Sequence, residues 1–218
     1  MQLTQEEIKE LENQLSCPDG KLGVEVGKNM NETNIGMTLS TIDFLELEDA
    51  NSVLELGHGN CGHLQHLLTI ANNIDYFGLE VSKTMYEEAQ KNNTTKQAKF
   101  SLYDGETIPF KDNSFNRVMS VNTIYFWSNP QKLITEIERV LKPNGICILT
   151  YANKEFMKNL PFVGDKFQLF GTKEMEALIS TSNLKVDEFI HKTEQVTSKA
   201  GDSVERTYTL AKIKLHQQ

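Results

Sequence analysis

Two glutamates and three glycines stand where a ligand could be held. The apolar run Val53-Leu54-Glu55-Leu56 leads into Gly57-x-Gly59-x-x-Gly62, and Leu64, Leu67 and Leu68 follow at helical spacing. That pattern predicts a strand, a tight turn and a helix. Glycine suits such a reversal because it enters φ > 0 freely, and a backbone without Cβ lets a ligand lie directly on N–H groups. Glu80 closes the next apolar run, Ile74 to Leu79. It lies about twenty residues on, where a carboxylate can hold the hydroxyls of a ribose.

Taken alone the glycine pattern suits two kinds of nucleotide ligand, and Glu55 separates them. It stands just before the first glycine, at the end of the strand. A dinucleotide would bring its pyrophosphate close to that carboxylate. Two like charges at 4 Å cost about 1 kcal/mol in water and roughly 4 at an effective dielectric of 20. S-adenosylmethionine brings an ammonium and a sulfonium, which the same carboxylate attracts. The charge balance favours S-adenosylmethionine, with S-adenosylhomocysteine as its product, over NAD.

Further groups cluster around these. Asp104-Gly105-Glu106 contains a common turn pair, and a turn can aim the Asp104 carboxylate. Asn122-Thr123-Ile124-Tyr125-Phe126-Trp127 follows the fourth apolar run, at the carboxyl edge where open α/β sheets bind ligands. His58 and His63 border the glycine turn, and a general base needs a pKa near neutrality; His58 and Tyr125 are the candidates for a catalytic part. Ser82 reads as a helix N-cap, and Cys61 as a small residue filling a tight turn. The three cysteines, Cys17, Cys61 and Cys147, are odd in number and far apart. They suggest neither a disulfide framework nor a metal site.

The elements that must position these groups can be read in order. Thr4-Gln5-Glu6-Glu7 is a capping box with Leu3 and Ile8 as its hydrophobic staple, and Cys17-Pro18-Asp19-Gly20 ends the helix it starts. Residues 21–36 are polar and glycine-containing and read as irregular, with a helix from about Ile35 to Leu47. Strand and helix then alternate. Strands are expected at Val53, at Ile74–Leu79, at Ala98–Leu102, at Phe115–Val121 and at Ile146–Thr150. A helix opens at Asn129-Pro130 with proline in its first turn. Residues 152–171 read as irregular and carry Phe156, Phe162, Phe167 and Phe170. A helix follows Thr172, and two closing strands, Leu184–Ile190 and Tyr208–Leu215, flank a polar loop at 193–205. Such alternation predicts a parallel sheet covered on both faces.

Composition bounds the function. The chain has 218 residues, a formal charge of −8, 39% hydrophobic and 24% charged residues, ordinary for a globular protein. The acidic balance argues against nucleic acid, whose binding needs clustered Lys and Arg. No window approaches the roughly 18 apolar residues of a membrane span, and the first residues do not resemble a signal peptide. The expectation is a cytoplasmic protein, monomer or homodimer. The long segments 21–36 and 152–171 are expected to act as lids or binding loops, with the phenylalanines of the second touching an apolar acceptor.

Five motifs in order resemble those of the class I S-adenosylmethionine-dependent methyltransferases, nearest to the small-molecule branch of ubiquinone and menaquinone biosynthesis. They are Glu55-Leu56-Gly57-His58-Gly59-Asn60-Cys61-Gly62, Gly78-Leu79-Glu80-Val81-Ser82, Asp104-Gly105-Glu106-Thr107-Ile108-Pro109-Phe110, Asp112-Asn113-Ser114-Phe115-Asn116-Arg117-Val118 and Leu141-Lys142-Pro143-Asn144-Gly145. Tyr103, Asn116 and Asn144 depart from the family pattern. The resemblance covers about residues 50–151. It implies an α/β, Rossmann-like, doubly wound fold: a mostly parallel seven-stranded sheet of order 3-2-1-4-5-7-6 with the last strand antiparallel. An N-terminal helical lid (residues 1–48) would precede the methyltransferase domain (49–218). It also implies that Glu80 binds the ribose, that Asp104 accepts from the adenine amino group, and that Glu55, Gly57, Gly59, Gly62, Val81, Ser82, Gly105, Glu106 and Asn122 border the cofactor. No metal is implied. The Asn-Pro-Pro-Tyr or Asp-Pro-Pro-Tyr signature of nucleic-acid amino methylation is missing after the fourth strand, so a small-molecule acceptor is expected.

Overall fold

The computed structural model describes residues 4–197 and 203–216. Seven strands form one sheet: β1 (Ser52–Leu56), β2 (Asp75–Glu80), β3 (Ala98–Leu102), β4 (Phe115–Val121), β5 (Leu141–Ala152), β6 (Leu184–Thr197) and β7 (Ser203–Leu215). Their order is β3-β2-β1-β4-β5-β7-β6. The first five run parallel, and β7 is antiparallel to both of its neighbours. This is the order the resemblance implies. β1 is buried along almost its whole length, as a strand covered on both faces must be. One core cluster packs under α5 (Pro130–Val140) and α6 (Thr172–Ile179), the other under α3 (Leu64–Ile70) and the helix Gly20–Phe44.

Several local signals fold as their chemistry dictates. Thr4 Oγ1 accepts from the Glu7 N–H at 3.2 Å while Glu7 Oε2 accepts from the Thr4 N–H at 2.7 Å, which starts α1 (Gln5–Ser16). Leu3, the other half of the staple, lies outside the described residues. Ser82 Oγ accepts from the Met85 N–H and starts α4 (Lys83–Asn92); Asn129 Oδ1 accepts from the Lys132 N–H, with Pro130 in the first turn of α5.

Residues 21–36 are not irregular. They are the first half of α2, a helix of 25 residues over Gly20–Phe44, and the helix expected from Ile35 is its second half. Its glycines weaken it as an isolated helix, by about 1 kcal/mol each relative to alanine. Packing makes up the difference. α2 lies on α4 and on β4, β5, β6 and β7, with Met37, Ile42 and the following Leu45 fully buried. Thr41 Oγ1 lies 2.6 Å from Thr150 Oγ1, and Ser40 Oγ lies 3.0 Å from the Tyr208 hydroxyl. Arg206 of β7 donates to Asn34 Oδ1, to the Thr33 carbonyl and to Glu194, each at 2.7 Å.

Two of the α2 glycines separate by what faces them. A Cβ on Gly23 would stand 2.7 Å from the backbone carbonyl carbon of Pro18, whereas one on Gly27 would meet the thioether end of Met85. Backbone cannot yield, but a methionine tip can. Gly23→Ala is therefore expected to cost about 1–3 kcal/mol through overpacking, despite its gain in helix propensity. Gly27→Ala should be neutral or stabilising by up to ~1 kcal/mol. Urea midpoints of the two variants check this, and equal losses would refute it.

Two further segments differ from expectation. β5 begins at Leu141, with a register irregularity between Phe115 and Arg117 of β4, so Lys142-Pro143-Asn144-Gly145 lies within the strand. The polar loop expected at 193–205 is largely the paired tips of β6 and β7, with Thr193 opposite Thr207 and Glu194 opposite Arg206. A polar tip reads as loop because nothing in it alternates with an apolar core face.

Candidate active site

A cavity of about 330 Å³ opens at the carboxyl edge of the sheet, walled by the glycine turn, the ends of β2 and β4, and one face of α2. Gly57 and Gly59 have φ of 73° and 58°, the left-handed region where glycine is favoured. At Gly59 no atom lies within 4 Å of where a Cβ would be, and the residue borders the cavity. At Gly57 a Cβ would stand 2.5 Å from Thr123 Cγ2, so the second requirement there is close packing of the turn on the β4 edge. Gly62 sits behind the turn, its N–H donating to Asn60 Oδ1 and the Asn31 amide lying against its Cα.

Glu80 ties the turn to β2. Its Oε2 accepts from the Gly59 N–H at 2.9 Å, and its Oε1 accepts from the N–H groups of Val81 and Ser82 at 2.8 and 2.9 Å. A carboxylate has about four lone-pair sites, so these three bonds leave one on a residue that borders the cavity. Asp104 Oδ1 accepts from the N–H groups of Glu106 and Thr107. Those bonds hold its pKa below the ordinary carboxylate value and leave Oδ2 available. Gly105 (φ 82°), Val81 and Tyr103 complete that end of the cavity.

Glu55 borders the cavity but arrives already paired. Its Oε2 accepts from His63 Nε2 at 2.8 Å and from the Tyr76 hydroxyl at 2.5 Å, all three buried. Burial works against charge on both partners. Attraction between them and the bond they share outweigh it, so Glu55 lies below its ordinary pKa and His63 above. Cys61 lies within 4.8 Å of this pair, making a set of donors a metal could use. Its Sγ is bonded to the Tyr76 hydroxyl at 3.2 Å, however, and burial pushes the thiol well up. With φ of 52° it is the small residue the turn needs.

Neither candidate for a catalytic part is placed to exchange a proton. His58 Nδ1 bonds the Gly59 carbonyl at 2.8 Å, which makes it the donor and leaves Nε2 basic. The ring is wedged between Gly78 and Phe100, Nε2 has no partner among the described residues, and burial lowers its pKa. It is a neutral packing residue under the turn. The Tyr125 hydroxyl donates to Asn122 Oδ1 at 2.8 Å and accepts from the Ala152 N–H at 2.5 Å; Tyr125 is buried outside the cavity lining, and burial pushes its hydroxyl up. Its part is to hold Asn122, which adopts φ of 57° at the end of β4.

Of the expected cofactor residues, Glu55, Gly57, Gly59, Glu80, Val81, Asp104, Gly105 and Asn122 meet around one cavity. Gly62, Ser82 and Glu106 do not. Ser82 is buried as the α4 cap, with Oγ donating to the Pro18 carbonyl. Glu106 turns outward to Ser128 and Lys132. The four phenylalanines of 152–171 are also elsewhere: Phe167 packs on Tyr125 and Phe126, Phe170 on Tyr151, and none lines the cavity. Segment 21–36, expected as a lid or binding loop, does border the cavity through Met30, Asn31 and Asn34, but as part of α2, which adds Thr38. Their spacing is helical, a signal hidden once the segment is read as irregular.

Residues 54–149 match the family model described as a methyltransferase domain. In these residues and in its strand order the chain is similar to the class I S-adenosylmethionine-dependent methyltransferases. A phthiotriol/phenolphthiotriol dimycocerosates methyltransferase of Mycobacterium ulcerans is 28% identical over 61% of this chain and 49% of its own. The uncharacterized methyltransferase YdaC of Bacillus subtilis is 30% identical over 53% of this chain and 64% of its own. The chain thus spans about half to two thirds of the length of these curated relatives. Among solved structures, the putative methyltransferase complexed with the Trm112 activator of Haloferax volcanii superposes with a TM-score of 0.67 at 18% identity, covering 86% of this chain and 94% of that one. No helix among the described residues is long and apolar enough to cross a membrane.

Proposed function

We propose that the protein transfers a methyl group from S-adenosylmethionine to a small-molecule acceptor. The observation that carries this is the convergence of Glu80 and the Asp104-Gly105 turn on the bare Gly59 across one cavity. Glu80 would hold the ribose hydroxyls with its remaining lone pair, and Asp104 Oδ2 the adenine amino group, beside Val81 and Tyr103. Gly59 fits the group because nothing occupies the space above its Cα. Glu80 and Asp104 border the cavity, neither with an ion-pair partner among the described residues, so a pyrophosphate would be repelled there and an ammonium attracted.

When bound, S-adenosylmethionine supplies a methyl made electrophilic by its sulfonium. What the chain supplies is position and shelter. Alignment and exclusion of water are worth up to about 7–11 kcal/mol, and α1 and α2 cover the cavity. In this reading residues 1–48 are the lid and 49–218 the catalytic unit. No side chain at the site is free to act as base, so the acceptor is one that reacts neutral or already ionised.

Calorimetric titration with S-adenosylmethionine, S-adenosylhomocysteine and NAD tests the reading. Micromolar binding of the first two and none of NAD is expected. Binding of NAD alone would overturn it.

A further inference from the structure

Asn31, Asn34, Asn60 and Asn122 border the cavity, and the orientation of two of them, Asn34 and Asn122, is set by groups that can only donate, the Arg206 guanidinium and the Ala152 N–H. Arg206 Nη1 donates to Asn34 Oδ1 at 2.7 Å, and a guanidinium has no acceptor. The Ala152 N–H and the Tyr125 hydroxyl donate to Asn122 Oδ1 at 3.2 and 2.8 Å. In each case the carbonyl end is spent on the protein, and the Nδ2 amide is left over at a residue that borders the cavity. Asn122 Nδ2 meets only the Met37 thioether at 3.2 Å, a weak acceptor. Asn34 Nδ2 has no hydrogen-bond partner among the described residues, and it is not among the enclosed unpaired atoms.

We infer that Asn34 and Asn122 form a subsite of two preset donors which takes the methyl acceptor by a carbonyl-type oxygen, as a neutral carbonyl or a carboxylate, through their Nδ2 groups. The inference rests on the reading above for which half of the cavity the cofactor takes. A site that presents preset N–H groups favours oxygen acceptors and leaves an ammonium without a partner. The donors also suit an oxygen that already carries negative charge when it binds, as a carboxylate does, so no proton has to be removed in the site. Arg206 is a positioning residue here. It touches no ligand, but without it Asn34 is free to flip.

Side-chain amide resonances of ¹⁵N-labelled protein report on this directly. Acetate and benzamide, against methylamine and benzylamine, are titrated into the full chain with and without S-adenosylhomocysteine. The Nδ2H₂ signals of Asn34 and Asn122 should move saturably with acetate or benzamide and not with either amine. Which of the two oxygen probes acts separates the carboxylate from the neutral carbonyl. Asn34→Asp keeps an acceptor for Arg206 but removes the donors, and should weaken the response at least tenfold. Arg206→Gln should abolish the Asn34 shift while leaving that of Asn122. The Gly59 amide signal follows S-adenosylhomocysteine separately, so failure of the cofactor reading shows there and not in the asparagines. Silent asparagines with both oxygen probes, or an equal response to the amines, would overturn the inference.

Discussion

His63→Ala is expected to lose about 3–5 kcal/mol of folding stability, the range for removing one partner of a buried charge pair. Glu55 would stay in place with only the Tyr76 hydroxyl on its Oε2, and burying an uncompensated carboxylate is what costs. Against a total of about 5–15 kcal/mol for a typical domain, the urea midpoint should fall steeply. The double variant Glu55→Gln, His63→Gln strands no charge and should recover most of the loss. The pH dependence carries a sign. His63 has its folded pKa raised from 6.5, so its contribution is full below pH 6.5 and is lost as pH rises through the raised value. Glu55 has its folded pKa lowered from 4.5, so its contribution is full above pH 4.5 and is lost as pH falls through the lowered value. Stability of the wild type should therefore hold between these limits and decline on both sides, while the double variant shows neither decline from this source. A loss below ~1 kcal/mol for His63→Ala would mean that the pair is not charged in the folded protein.

That pairing also marks where sequence reasoning stops. Glu55, the glycines and Glu80 are legible because strand, turn and strand-end carboxylate follow from local pattern, and the strand order from the ordered motifs. What Glu55 bonds to is not local information: His63 reaches it only once the turn has folded, and Tyr76 comes from the neighbouring strand, where Val53 stands opposite it. α2 was hidden for a different reason. Gly20, Gly23, Gly27 and Gly36 with several asparagines and threonines are the composition of a loop when judged by propensity, and the contacts that override propensity come from Pro18, Met85, Thr150 and Arg206. A segment long enough to be a binding loop is legible from its length, but which of its side chains border the cavity, Asn31 and Asn34 among them, follows only from the helix. The aromatic segment after β4 reads as ligand contact because of where it lies, and Thr123, Phe126 and Trp127 do line the cavity, but the Tyr125 hydroxyl is consumed in holding Asn122. Position at a sheet edge says that a residue is near the site, and only its hydrogen bonds say which way it faces.

Glu80→Ala should weaken binding of S-adenosylhomocysteine by about 1.5–3 kcal/mol, the value of a hydrogen bond to a charged group, or roughly 10- to 150-fold in Kd. The bond to the ligand is one part of this. The carboxylate also accepts from the N–H groups of Gly59, Val81 and Ser82, so its removal loosens the turn that must present the bare backbone of Gly59. Glu80→Gln separates the two effects. The glutamine carbonyl can still accept from some of these donors, but the charge that strengthens each bond is gone, and its NH₂ faces an N–H with nothing to accept. Calorimetry of the two variants should therefore place Glu80→Gln between the wild type and Glu80→Ala. Adenosine, which keeps the ribose and lacks the amino-acid end, should lose as large a factor as S-adenosylhomocysteine does. A loss confined to S-adenosylhomocysteine would move Glu80 from the ribose to the amino-acid end, and unchanged affinity for both ligands in a folded variant would remove it from the site.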